Sequence, residues 1–128
     1  MSDDALNAYQ SVERNTLSGR ELEASVLTRA ALMLADVQQH WNEPNRDERL
    51  DHALRHNQRL WTLFQAELSA PDHPMPVELR QNLLNLAAFV DKRSFEVMAY
   101  PDPAKLDILI SINKNIAAGL RSESSNGE

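Results

Sequence analysis

Residues 50–68 read "LDHALRHNQRLWTLFQAEL". Leu50, Leu54, Trp61, Phe64 and Leu68 recur at the four- and three-residue steps that put side chains on one face of a helix. That stripe predicts a helix over 46–69, with one side turned to a core. The slot between Leu54 and Trp61 holds Asn57. A buried amide without a partner costs about 1–3 kcal/mol, so this position needs a physical reason.

The same irregularity recurs near the C-terminus. Leu106, Leu109, Ile116 and Leu120 keep heptad spacing, and the slot between Leu109 and Ile116 holds Asn113. One amide can satisfy another across a helix pair, or satisfy backbone groups near a helix end. A central Asn in a heptad also fixes register at some cost in stability. The alternatives are an amide that lines a groove and bonds a partner's backbone, and simple exposure.

Working outward, the chain divides into helical stretches. Ser2 or Asp3 can cap a short helix over 4–15, and "NTLSGRE" breaks it. Ser18 and Glu21 have capping-box spacing, which starts a second helix near Gly19 and carries it to about Trp41. Its stripe is Leu27, Ala30, Leu34, Val37 and Trp41. Asn45 caps the third helix. "APDHPMP", with three prolines in seven residues, ends that helix region because proline lacks the N–H a helix interior needs. A fourth helix spans 77–99, about 33 Å long at ~1.5 Å per residue. Its stripe is Leu79, Leu83, Leu86, Ala87 and Val90. "YPDP" stops it, and Asp102 caps a fifth helix with Pro103 at its first position, ending at Gly119 or Arg121. The expected architecture is an all-α, single-domain bundle of about five helices over 1–121, with 122–128 a disordered tail.

Composition agrees. Only three glycines occur in 128 residues, and the periodic segments are rich in Leu, Ala, Arg, Glu and Gln, all helix formers. A formal net charge of −6 argues against DNA and RNA, whose phosphates want a positive field. With no cysteine there is no disulfide, thiol catalysis or thiolate metal site. The acidic N-terminus "MSDDALNAYQ" lacks the apolar segment of a signal peptide, and no apolar run approaches the ~18 residues of a membrane span. The expected location is the cytoplasm.

Catalytic and metal-binding patterns are weak. Glu48, His52 and His56 stand at i, i+4, i+8, a spacing that can hold a divalent metal, yet no nearby Asp or Cys completes a ligand set, so a solvated helix face is expected. Arg46, Arg49, Arg55 and Arg59 make a basic strip, interrupted by Glu48, Asp51 and Glu67. No glycine-rich phosphate loop, GxSxG or HExxH occurs. The chain reads as a non-enzyme without cofactor. Asn82, Asn85 and Phe89 instead form a stripe beside the leucines of the fourth helix, widening its apolar arc and flanking it with amides. Such a surface suits a central helix, or a groove that receives an amphipathic partner helix. Trp41, Trp61 and Phe64 can supply aromatic anchors for a groove.

Five segments then resemble the flagellar biosynthesis regulator FlaF family: "AYQ" at 8–10, "RELEA" at 20–24, "ALRHNQRLWTLF" at 53–64, "MPVELRQNLLNLAAFVDKR" at 75–93 and "INKNIAAGL" at 112–120. Met75 stands where a leucine is expected before Pro76, a conservative change. The resemblance implies a small cytoplasmic protein that supports flagellin synthesis and export, a flagellin-binding regulator and secretion chaperone working beside FlbT. It also implies an alternative role as a post-transcriptional regulator of flagellin expression, through FlbT-like protein contacts or RNA. Its motif residues are Asn57, Trp61, Arg80, Asn82, Asn85, Asn113 and Asn115. Together with Phe64 and Phe89 from the groove reading, the expected partner-binding set is Asn57, Trp61, Phe64, Arg80, Asn82, Asn85, Phe89 and Asn113. Flagellin is the expected partner, and a homodimer using the same surface stays open.

Overall fold

A computed structural model describes residues 18–126. Among these, four α-helices and one 3-10 turn follow in order: α1 (Ser18–Gln39), α2 (Arg46–Leu68), α3 (Val77–Ala99), the 3-10 turn (Pro103–Leu106) and α4 (Asp107–Asn126). No strand occurs among the described residues. The fold is all-α, as the periodicity predicts. The helix expected over 4–15 lies outside the described residues. α4 runs to Asn126, past the predicted stop at Gly119 or Arg121.

The boundaries have local causes. Asn45 precedes α2 in the left-handed region (φ 68°), which Asn tolerates better than most residues. Its side chain makes no capping bond; the backbone closes the first turn, Arg49 N–H donating to the Asn45 carbonyl at 3.0 Å. Asp102 does cap through its side chain, its Oδ1 accepting from Ala104 N–H at 3.0 Å. Pro103 follows, and the chain passes through a 3-10 turn before α4 begins, a step the cap signals alone do not reveal.

α1 packs most extensively on α4. Ala24, Ala30, Ala31 and Ala117 are buried, and such small side chains let two backbones approach closely. α2 lies against α1, and α3 against α2. Gln38 clamps the far end of α1 to the 3-10 turn, its Nε2 donating to the Pro103 carbonyl at 2.9 Å and to Asp107 Oδ1 at 2.6 Å. The core is one cluster that includes Leu27, Leu34, Leu54, Trp61, Val90, Val97, Leu106 and Leu109.

α3 is the least integrated helix. It packs on α2 and touches the 3-10 turn, and its C-terminal half supplies Ala87, Val90, Ser94 and Val97 to the interior. Its N-terminal half behaves differently. Leu83 and Leu86 are half-buried and Leu79 is exposed, although all three continue the same stripe. Apolar spacing marks which residues share a face; it does not ensure that a neighbouring helix reaches that face.

Candidate partner-binding groove

The two amides of the opening question meet. Asn57 on α2 and Asn113 on α4 are both fully buried, and Asn113 Nδ2 donates to Asn57 Oδ1 at 2.7 Å. Trp61, one turn after Asn57, donates its indole Nε1–H to Asn113 Oδ1 at 2.9 Å. Indole nitrogen can only donate, so it fixes which way the Asn113 amide points. Asn113 must then offer its NH₂ group to Asn57, and Asn57 must answer with its oxygen. The direction of the chain leaves one donor over: Asn57 Nδ2 is buried without a partner. Three polar groups thus bridge α2 and α4, which sit farther apart than α1 and α4, and the indole fills the space between them.

Beyond this bridge the bundle opens. A groove of about 260 Å³ is lined by Leu27 from α1, Trp61, Phe64 and Leu68 from α2, Met75 from the proline-rich loop, Leu79 and Leu83 from α3, and Ile116 and Leu120 from α4. Trp61 meets Phe64 edge to face, ring centroids 5.9 Å apart, which stiffens the α2 wall. Arg80 holds the loop wall by donating from Nη1 to the Ala70 carbonyl at 3.0 Å. The rim carries Arg20, Glu23, Glu67 and His73. Burial, and then the charge of Glu67, push the Glu23 carboxyl above its ordinary range, while Arg20 pulls the other way.

The residues expected to bind a partner fall into three places. Asn57, Trp61 and Asn113 form the buried bridge, with Trp61 also facing the groove. Phe64 lines the groove and Arg80 fastens its loop. Asn82 and Asn85 lie on the exposed face of α3, where Gln81 Nε2 donates to Asn85 Oδ1 at 3.3 Å, and Phe89 is half-buried beneath the Arg93 guanidinium, 5.5 Å from its ring centre. The expected set omits most of the groove lining: Leu27, Leu68, Met75, Leu79, Leu83, Ile116 and Leu120. Most of these lie on apolar stripes that the sequence reads as core, and only their tertiary placement sets them around open space.

Elsewhere the surface is largely self-paired. Arg49 pairs with Asp36 and lies 3.6 Å from Glu43, Arg55 pairs with Asp51 at 2.9 Å, and Arg46 covers the Trp41 ring at 4.4 Å. Among the described residues no group of three or more His, Asp or Glu is arranged to hold a metal, Glu48, His52 and His56 included. No helix of the described residues is long and apolar enough to cross a membrane. A second apolar patch, Leu63 and Phe95, lies on the outer side of α2 and α3 beside Arg55 and Arg59.

The model of the family described as flagellar protein FlaF matches residues 5–120, and the chain belongs to that family. No curated protein and no solved structure matches it.

Proposed function

We propose that this flagellar protein binds flagellin in the cytoplasm, taking a helical terminal segment of flagellin into the groove and holding it competent for export. Family membership supports a flagellar partner. The observation that carries the reading is the open, apolar end of the bundle, where Phe64, Leu79, Leu83, Ile116 and Leu120 face a common space. An amphipathic helix laid there would bury its apolar face, which offsets the entropy lost when a flexible segment orders. The role is one of binding, with no catalytic step and no cofactor. Control of flagellin synthesis, with or without a FlbT-like partner, would follow from the same capture event.

The test is binding of purified monomeric flagellin, intact and lacking its terminal segments, to wild-type protein and to Leu79→Asp and Leu63→Asp. Both positions are exposed, so both variants should fold as judged by circular dichroism. Leu79→Asp places a charge in the groove and should weaken binding at least tenfold, since an ion facing an apolar surface loses its hydration (~2 kcal/mol or more). Leu63→Asp, on the outer patch, should bind as wild type. The reverse pattern would move the site to the outer face of α2 and α3. If wild-type protein leaves flagellin unbound, the chaperone role is refuted, and post-transcriptional control through another partner replaces it.

A further inference from the structure

The groove opens beside the place where the chain enters the bundle. α1 begins at Ser18, and Arg20, Glu23 and Leu27 on its opening turns all line the groove. Residues 1–17 precede it, and they include the helix read from the sequence over 4–15, with only residues 16 and 17 between that helix and α1. A connection so short turns one helix back along the next. At ~1.5 Å per residue the segment would be about 18 Å long, matching about the first three turns of α1. Those turns carry the α1 residues of the groove. As a helix the segment is two-faced: Ala5, Leu6, Tyr9 and Val12 share one arc, and Asp4, Asn7, Ser11 and Arg14 share the opposite one. A helix of this length is marginal in water without a surface for its apolar face. The groove offers such a surface, with Leu79 45% exposed on its wall and charged side chains on its rim. Tyr9 suits that arrangement, having an apolar ring and a polar hydroxyl at its tip. The family match starts at residue 5, so the segment belongs to the same family unit as the four helices.

We infer that residues 4–15 dock in the groove of the unliganded protein with Leu6, Tyr9 and Val12 inward, and that flagellin must displace them to bind. The competition rests on the groove as the flagellin site. The chain's own segment covers the apolar walls until a partner with a longer apolar face takes its place. A short tether presents the segment to the groove at about millimolar effective concentration. An intrinsic affinity of only ~0.1 mM then leaves roughly one chain in ten open, and the apparent Kd for flagellin rises about tenfold. The segment thereby sets a threshold that a weak amphipathic helix fails to cross.

The chain has no cysteine, so Ser11→Cys gives a single site for a nitroxide label on the polar face of the segment. In the full chain without flagellin, the label should broaden the methyl resonances of Leu79, Leu83, Ile116 and Leu120 more than those of Leu34 and Leu106 at the opposite end of the bundle. Adding monomeric flagellin should remove that broadening. Tyr9→Asp, checked for folding by circular dichroism, should also remove it and bind flagellin about tenfold more tightly than wild type, while Asn7→Asp on the polar face should match wild type in both. Absence of groove broadening in the labelled chain would overturn the docked segment and leave the groove reading to Leu79→Asp. Broadening only between a labelled and a separately isotope-enriched copy would assign the groove to a second copy and overturn the inference. Weaker flagellin binding by folded Tyr9→Asp would make the segment part of the flagellin site, and would overturn the competition. Wild-type flagellin affinity in Leu79→Asp would overturn the groove as the flagellin site, and the competition with it.

Discussion

The direction of the buried bridge makes an unequal prediction for its two amides. In Asn57→Ala, Asn113 Nδ2 loses its acceptor, so one buried donor is stranded. The same substitution removes Asn57 Nδ2, a donor that is already without a partner. One penalty replaces another, and the net cost should be about 1 kcal/mol. In Asn113→Ala, both neighbours lose out: the Trp61 indole N–H has no acceptor, and Asn57 Oδ1 has no donor. Nothing is relieved in exchange. Two stranded groups at about 1–3 kcal/mol each give a loss of roughly 2–6 kcal/mol. Urea titration followed by far-UV circular dichroism should rank Asn113→Ala well below Asn57→Ala, with equal slopes if both unfold from the same compact state. In melting temperature the gap should be several degrees, at about 4 °C per kcal/mol for a chain of this size. The double variant sharpens the test: once Asn113 is gone, removing Asn57 takes away two stranded groups, so Asn57→Ala should cost nothing or stabilise. If the two single variants are equally costly, or if Asn57→Ala costs the same in both backgrounds, the one-way bridge is wrong.

Other expectations follow from burial and charge. Leu109→Ala, in the closed core, should cost about 2–5 kcal/mol through lost burial and the cavity left behind, whereas Leu83→Ala, half-buried on the groove wall, should cost less than about 2 kcal/mol in the same urea titration. Glu23 binds its proton more tightly folded than unfolded, because of burial and the charge of Glu67. Its contribution therefore favours folding below the ordinary carboxylate pKa and is lost as pH rises through the raised value. Glu23→Gln should be more stable than wild type at neutral pH, with the margin gone below about pH 4; a margin independent of pH would refute the cause assigned to the shift. Leu79→Asp should abolish most flagellin binding while leaving the melting temperature within a few degrees of wild type, at about 4 °C per kcal/mol.

Much of the fold can be read from spacing because helix faces are a local property. The Leu50, Leu54, Trp61 stripe and the Leu106, Leu109 stripe both turn inward. The repeated defect at Asn57 and Asn113 was legible as an oddity; that the two residues bond each other through an order dictated by Trp61 required their tertiary placement. The groove was not legible for a related reason. Leu83 and Val90 are one heptad apart on the same stripe, yet Val90 is fully buried and Leu83 borders open space. The difference follows the packing of α3, which lies against α2 and the 3-10 turn and not closely against α1 or α4. The rim pair was also hidden, since Glu23 and Glu67 meet only when α1 lies on α2.

The closed and open halves of the bundle share one cause. Alanines draw α1 and α4 together, which leaves α2 facing α4 across a wider gap. A gap of that width must be filled by large side chains or bridged by polar ones, because an empty interior forfeits dispersion contacts. In the middle of the bundle it is filled by the Trp61 indole and bridged by the Asn57–Asn113 pair. Farther along α2, Phe64 and Leu68 share the space with Ile116 and Leu120 of α4 but with no polar bridge between them. The gap therefore reaches the surface as a groove whose floor is the same indole that anchors the bridge. Trp61 holds its N–H toward Asn113 and presents its ring to the groove, so the position of the floor is tied to the buried hydrogen bond. Loss of Asn113 should therefore loosen the floor of the groove as well as the fold.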